Sequence, residues 1–325
     1  VRDGAAHLGG CVTSLAAQTD GDFEVIAVND GSRDRTAEML RAWAAGDRRV
    51  RVLTQSRLGL VAALERARTA ARGRWIARMD ADDIAHPERL AAQRALLEAE
   101  AALAICGCHV RYVPRAGLKG GALRYERWLD SLTTPAALAR DLFVECPLAH
   151  PTFFMRADAV AAVGGYRERG WPEDYDLVLR LWRAGSGLGV VPRVLLDWCE
   201  RPDRLSRTHS AYSADAFRRC KAHHLARSLL LGRDGVVVWG AGPVGKAFGR
   251  AIATEGVGVR AFVDLDPRKI GQEIWGAPVI PPQGVADYRG AFCVAAVGQP
   301  GARAEIRAAL AELGWEEEKD FVAVA

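Results

Sequence analysis

Short runs rich in Val, Ile and Ala alternate along the first third of the chain with longer stretches in which apolar residues recur every three or four positions. The first pattern belongs to strands buried on both faces, the second to amphipathic helices packed on a sheet. Residues 23–28, 50–53, 75–79 and 104–108 read as strands; 34–45, 59–71 and 87–100 read as the helices between them, after an opening helix over 5–18. This alternation predicts βαβ units and a mostly parallel sheet flanked by helices, an α/β fold. Residues 111–121, rich in Gly, Arg and Pro, read as a mobile loop before a helix at 135–144. The pattern then becomes mixed, with a strand at 153–155, helices at 157–163 and 175–184, and a strand at 195–199. A helical stretch over 212–231 ends in Gly232-Arg233-Asp234-Gly235, a polar joint that divides the chain into domains 1–231 and 232–325. Beyond it, strand 236–239, a glycine turn, a helix to residue 254 and strand 259–263 begin a second βαβ arrangement.

Composition narrows the function classes. At 325 residues and 50% hydrophobic content the chain has the apolar material for two cores. A net charge of +4, evenly spread, does not point to nucleic acid as a partner. The seven cysteines include no CxxC pair and read as reduced, buried thiols. No apolar run reaches spanning length and no signal peptide is visible, so a cytoplasmic setting is expected. The chain opens at Val1 with a helical pattern almost at once, which suggests a first strand, and part of a ligand pocket, upstream of it.

Ligands of open α/β sheets sit outside the carboxyl ends of the strands, and polar clusters follow two of them. Strand 23–28 runs into Asn29-Asp30-Gly31-Ser32, and strand 75–79 into Asp80-Ala81-Asp82-Asp83. Asp30 can accept hydrogen bonds from a base or ribose, or the segment can be a plain turn and helix cap. Asp80, Asp82 and Asp83 can hold Mg²⁺ or Mn²⁺ while leaving coordination positions for phosphate oxygens, or can form an acidic helix start. A third cluster, Glu173-Asp174-Tyr175-Asp176, heads an amphipathic run; it suits the helix dipole, and a carboxylate there could also deprotonate a hydroxyl nucleophile. Upstream, Gly164 and Gly165 would let backbone approach a sugar closely.

These clusters, in this order and approximate spacing, resemble family 2 glycosyltransferases over residues 1 to about 210. The resemblance implies a GT-A fold, with Asp30 near the nucleobase and Asp80 and Asp82 around ribose, diphosphate and metal. It further implies Asp174 as catalytic base beside Glu173, and one in-line displacement that inverts the anomeric centre. Many members carry a histidine shortly after the strand at 195–199; this chain has Arg201-Pro202 there, and Arg201 could meet phosphate. No Gln-x-x-Arg-Trp motif occurs, which argues against a processive polymer synthase. His150 lies toward the acceptor side or is a structural histidine.

In the second domain Gly240, Gly242 and Gly245 follow a strand and open a helix, and Asp264 follows the next strand. That is the context of a dinucleotide-type fingerprint. The segment resembles the small Rossmann-like domains attached to sugar acyltransferases, which implies a nucleotide or sugar-nucleotide ligand; the alternative is a module for packing or homo-oligomerisation. The expected function is therefore transfer of a sugar from a nucleotide-sugar donor to a glycan or lipid-linked acceptor, at or near the inner membrane face. The alternative is a non-catalytic sugar-nucleotide sensor.

Overall fold

The computed structural model describes residues 1–325, which divide into two compact units. The first comprises Val1–Leu138, Leu148–Arg169 and Glu173–Thr208; the second comprises Ala139–Pro147, Gly170–Pro172 and His209–Ala325.

In the first unit, β1 (Val25–Asp30) and β2 (Val50–Gln55) pair in parallel through the helix Thr36–Gly46. The backbone of Val1 runs beside β1, its carbonyl accepting from Asp30 N at 2.9 Å. Leu8, Ala27 and Leu40 bury one face of this pair. A second, five-stranded sheet contains β3 (Trp75–Ala77), β4 (Ile84–Ala85), β5 (Leu103–Val113), β6 (Phe154–Arg156) and β7 (Gly187–Cys199), in the order β3-β6-β5-β7-β4. Strands β5 and β7 are parallel, whereas β6 runs antiparallel between β3 and β5. The sheet is thus mixed at the place where the repeating βαβ pattern breaks down. Leu90 and Leu97 on the helix Arg89–Ala99 pack against Leu103, Cys106 and Phe154.

Two expectations need correction. Residues 111–113 are not loop: β5 continues through them, paired with Asp197–Cys199 of β7, so that an alternating edge of Arg and Tyr was hidden by its polar members. The helix at 135–144 ends at Arg140, and the apolar residues after it, Leu142 (0% exposed) and Phe143 (2%), enter the core of the second unit.

The second unit is built on a six-stranded sheet of β8 (Val236–Trp239), β9 (Val259–Val263), β10 (Glu273–Ile274), β11 (Ala277–Ile280), β12 (Phe292–Ala295) and β13 (Phe321–Ala323), ordered β10-β11-β9-β8-β12-β13. All pairings are parallel except β10 with β11; β8 and β12 are apolar and buried throughout, and β9 is buried over Ala261–Val263. The 139–147 segment is fixed within this unit by charge. Asp141, 3% exposed, accepts from Arg307 Nη2 at 2.6 Å and faces Arg303 at 3.5 Å, while Lys221 Nζ donates to the carbonyls of Val144 at 2.6 Å and Val324 at 3.1 Å. All seven cysteines are free thiols. No helix is long and apolar enough to cross a membrane.

Candidate active site

Strand β3 ends at Ala77 and the chain turns through Arg78-Met79 into the acidic cluster. The turn is braced from behind. Arg89, 1% exposed, donates from Nη2 to Arg78 O at 2.6 Å and from Nε to Gln93 Oε1 at 3.0 Å, and Gln93 Nε2 donates on to Thr152 O at 2.7 Å. A buried guanidinium with these partners is costly to dislodge, so the position of Asp80 is set by packing rather than by loop chance.

Three carboxylates within four residues would repel one another, and the structure sends each to a different partner. Asp80 Oδ1 accepts from Arg78 Nη2 at 2.5 Å. Burial pushes the Asp80 carboxyl upward, but the charge and hydrogen bond of Arg78, with Arg204 adding to them, hold it below its ordinary value. Asp82 Oδ2 meets Arg201 Nη2 at 2.9 Å. Asp83, 1% exposed, accepts from Cys199 N at 2.8 Å and so ties the cluster to the end of β7. Burial, with Asp80 and Asp82 adding repulsion, pushes its carboxyl up to about 8, and its Oδ2 is buried without a hydrogen-bond partner. Asp80 and Asp82 keep side-chain exposures of 34% and 19%. The residues fit a hard divalent cation: two accessible carboxylates offer oxygen ligands only, with room for phosphate oxygens, and a third lies behind them short of positive charge.

Arg78 links this cluster to a second group. Its guanidinium is buried and donates to Met79 O, with Nε left unpartnered, and its charge is felt by Tyr166 and Glu173 as well as by Asp80. The His150 ring lies 3.1 Å from Tyr166 Oη through Nε2 and 3.6 Å from Glu173 Oε1 through Nδ1. Burial first, and Arg78 second, push His150 well below its ordinary value, so it is a neutral imidazole. Asp174, at the start of the helix Glu173–Arg183, is less buried than Glu173, accepts from Tyr175 N at 2.7 Å, and acts on Tyr166 through its charge. The metal-type cluster and the Glu173-Asp174 helix start thus share one polar neighbourhood centred on Arg78, His150 and Tyr166. Of that centre, sequence reading singled out His150, with an acceptor-side or a structural role, and gave no role to Arg78 or Tyr166.

The other expected residues fall as follows. Asp30, 6% exposed, accepts from Gln55 Nε2 and Leu58 N, both at 2.8 Å, and from Gly59 N at 3.0 Å. Those donors overcome burial and hold it low. Its observed work is to shape the 55–59 loop at the carboxyl ends of β1 and β2, with about one of four acceptor positions left for a ligand. Gly164 and Gly165 have φ of +79° and +62°. The close approach at Gly165 is made by Glu65 and Arg68 of the helix Leu60–Ala70: a Cβ there would lie 2.3 Å from Glu65 Oε1, which itself accepts from Tyr166 N at 2.5 Å. The glycine pair therefore seats Tyr166.

In the second unit Gly240, Gly242, Gly245 and Asp264 are gathered at the carboxyl ends of β8 and β9. Gly240 has φ +126°, and a Cβ on Gly245 would lie 1.8 Å from Gly240 O, whereas one on Gly242 meets open space. Asp264 Oδ2 accepts from Lys269 Nζ at 2.7 Å and Oδ1 from Asp266 N at 2.9 Å.

Residues 2–164 match the family model of glycosyl transferase family 2. The Bacillus subtilis protein EpsE, which bears a glycosyltransferase name, is 30% identical over 63% of this chain and 72% of its own. The O-antigen biosynthesis glycosyltransferase WbnJ of Escherichia coli is 29% identical over 67% of this chain and 82% of its own. The match to EpsJ of Bacillus subtilis takes in 28% of that protein. Among solved structures, the 1–349 fragment of S. aureus TarS in complex with UDP-GlcNAc superposes with a TM-score of 0.51 at 16% identity, over 69% of this chain and 64% of the fragment, which is a likeness of fold. The sequence match covers half of the chain and the folds agree: the chain belongs to glycosyl transferase family 2.

Proposed function

We propose that the chain is an inverting, non-processive, metal-dependent glycosyltransferase that moves a sugar from a nucleoside-diphosphate sugar to a hydroxyl of a growing cell-surface glycan. The observation that carries this reading is the shared neighbourhood of two accessible carboxylates at a strand end and a carboxylate pair at a helix start, joined by Arg78, His150 and Tyr166. Asp82, with Asp80, would hold Mg²⁺ or Mn²⁺, which when bound neutralises the diphosphate as the glycosidic bond breaks. Asp174 takes the proton of the acceptor hydroxyl; the hydroxyl oxygen bonds to the anomeric carbon from the face opposite the diphosphate, and the nucleoside diphosphate leaves with the bonding pair. Glu173 and the neutral His150 orient this end of the site. Asp30 and the 55–59 loop line the base and ribose end. The UDP-GlcNAc bound to TarS supports a nucleotide-sugar donor, and the names of WbnJ and of the amylovoran biosynthesis glycosyltransferase AmsE of Erwinia amylovora support a polysaccharide product. For the second unit the reading is a Rossmann-like module, with Gly240, Gly242, Gly245 and Asp264 at a nucleotide or sugar-nucleotide site.

The test is Asp174→Asn in the full chain. With a panel of nucleotide sugars and Mn²⁺, donor hydrolysis and transfer are expected to fall by roughly 10²–10⁴-fold, the usual worth of a positioned base. Donor affinity, measured by calorimetry, should change little. Undiminished turnover in Asp174→Asn would remove the assignment of the base.

A further inference from the structure

Resting on the metal-dependent reading above, we propose that Arg201 is a built-in stand-in for the divalent cation: in the ligand-free protein it occupies Asp82, and it gives up that carboxylate when metal and diphosphate arrive together.

The argument starts from charge. Asp80, Asp82 and Asp83 lie in one turn, and two of them already face cations of the protein, Asp80 the guanidinium of Arg78 and Asp82 that of Arg201. The two arginines differ in how they are held. Arg78 is 9% exposed and also bonded to Met79 O, so it is part of the fixed frame. Arg201 follows β7 on a short turn, its side chain is 32% exposed, and beyond Asp82 it has only a loose approach to Asp203 at 3.8 Å, while its Nε is buried with no acceptor. A guanidinium that meets its carboxylate through one nitrogen and leaves another donor buried and unused is poorly committed to its present geometry.

The turn around it is anchored independently. Glu200 accepts from Arg204 at 3.1 Å and pairs with Arg207, and the Arg204 guanidinium lies 4.5 Å over the Trp198 ring. Arg201 can therefore leave Asp82 without unfolding the turn. Its planar fork matches a phosphate oxygen pair better than a single carboxylate oxygen, so a bound diphosphate offers it a second partner at the moment the cation claims the first. The device spares the metal-free protein an uncompensated carboxylate, and it makes cation binding depend on the diphosphate.

The experiment measures Mn²⁺ binding by electron paramagnetic resonance on the full chain, without any turnover. Arg201→Gln should bind Mn²⁺ alone about two- to fivefold more tightly than the wild type, the effect of removing a partly exposed ion pair that the metal must otherwise displace. Arg201→Lys, which keeps the charge but not the fork, should fall between them. Adding UDP or GDP should tighten Mn²⁺ binding more in the wild type than in Arg201→Gln. Equal Mn²⁺ affinities for wild type and Arg201→Gln, with binding still abolished in Asp82→Asn, would overturn the exchange and leave the metal site standing. No Mn²⁺ binding in either chain, with or without diphosphate, would overturn both the metal site and the exchange.

Discussion

Substituting Gly165 by Ala separates two costs that the fold combines at one residue. At φ +62° an L-residue pays about 1–2 kcal/mol for the left-handed backbone. The added Cβ would also sit 2.3 Å from Glu65 Oε1 and 2.6 Å from Arg68 Nε. These are ends of side chains, but Glu65 is held on one side by Arg68 at 2.8 Å and on the other by the amide of Tyr166 at 2.5 Å, so it cannot yield without breaking one of them. Loss of a hydrogen bond to a charged acceptor at the buried Tyr166 adds about 1.5–3 kcal/mol, for a total of roughly 2.5–5 kcal/mol. Gly185→Ala supplies the reference: its φ is +84° and nothing lies within 4 Å of the new Cβ, so it should lose only the backbone part. Urea unfolding of the two variants reads the difference. Because Tyr166 Oη touches His150, Gly165→Ala should also lower kcat at fixed donor affinity, which Gly185→Ala should not. Equal stability losses in the two variants would refute the Glu65–Arg68 brace as the reason for glycine at residue 165.

Two further outcomes follow from the same structure. Asp83 is raised from the ordinary carboxylate value to about 8 by burial and by Asp80 and Asp82, so the folded protein holds a proton that the unfolded chain releases. Its contribution is complete at acid pH and is lost as pH climbs from near 4 through about 8; metal-free Asp83→Asn should show a flatter dependence of urea midpoint on pH across that window. Gly245→Ala places a methyl 1.8 Å from the backbone oxygen of Gly240 and should cost more than about 3 kcal/mol, seen as lost thermal stability, whereas Gly242→Ala, facing open space, should stay near wild type.

Much of the fold was legible because strands such as Val236–Trp239 are apolar, rich in β-branched residues and bounded by glycines, and because the pairs Asp80/Asp82 and Glu173/Asp174 each stand at the end of an element. What escaped was everything that depends on a non-sequential neighbour. Arg78 and His150 meet because β6 runs antiparallel beside β3, carrying Phe153 O onto Arg78 N at 2.7 Å; no periodicity announces that pairing. Read alone, His150 was more plausible as a structural histidine than as part of a site, and Tyr166 carried no role of its own. Asp30 shows the reverse case: its carboxylate was singled out for a base or ribose, yet most of its bonding capacity goes to the amides and side chain of residues 55–59.

The excursion of residues 139–147 into the second unit has a bearing on biosynthesis. Asp141 and Arg307 are 166 residues apart in the chain. At ribosomal speeds of about 5–20 residues per second, the nascent segment waits roughly ten to thirty seconds before its partner is made. Throughout that interval Asp141, beside the apolar Leu142 and Phe143, lacks the Arg307 guanidinium that it meets in the fold, and the segment is a natural target for a holding chaperone. Gene fragments that stop short of the last helix should therefore emerge as sticky, insoluble products.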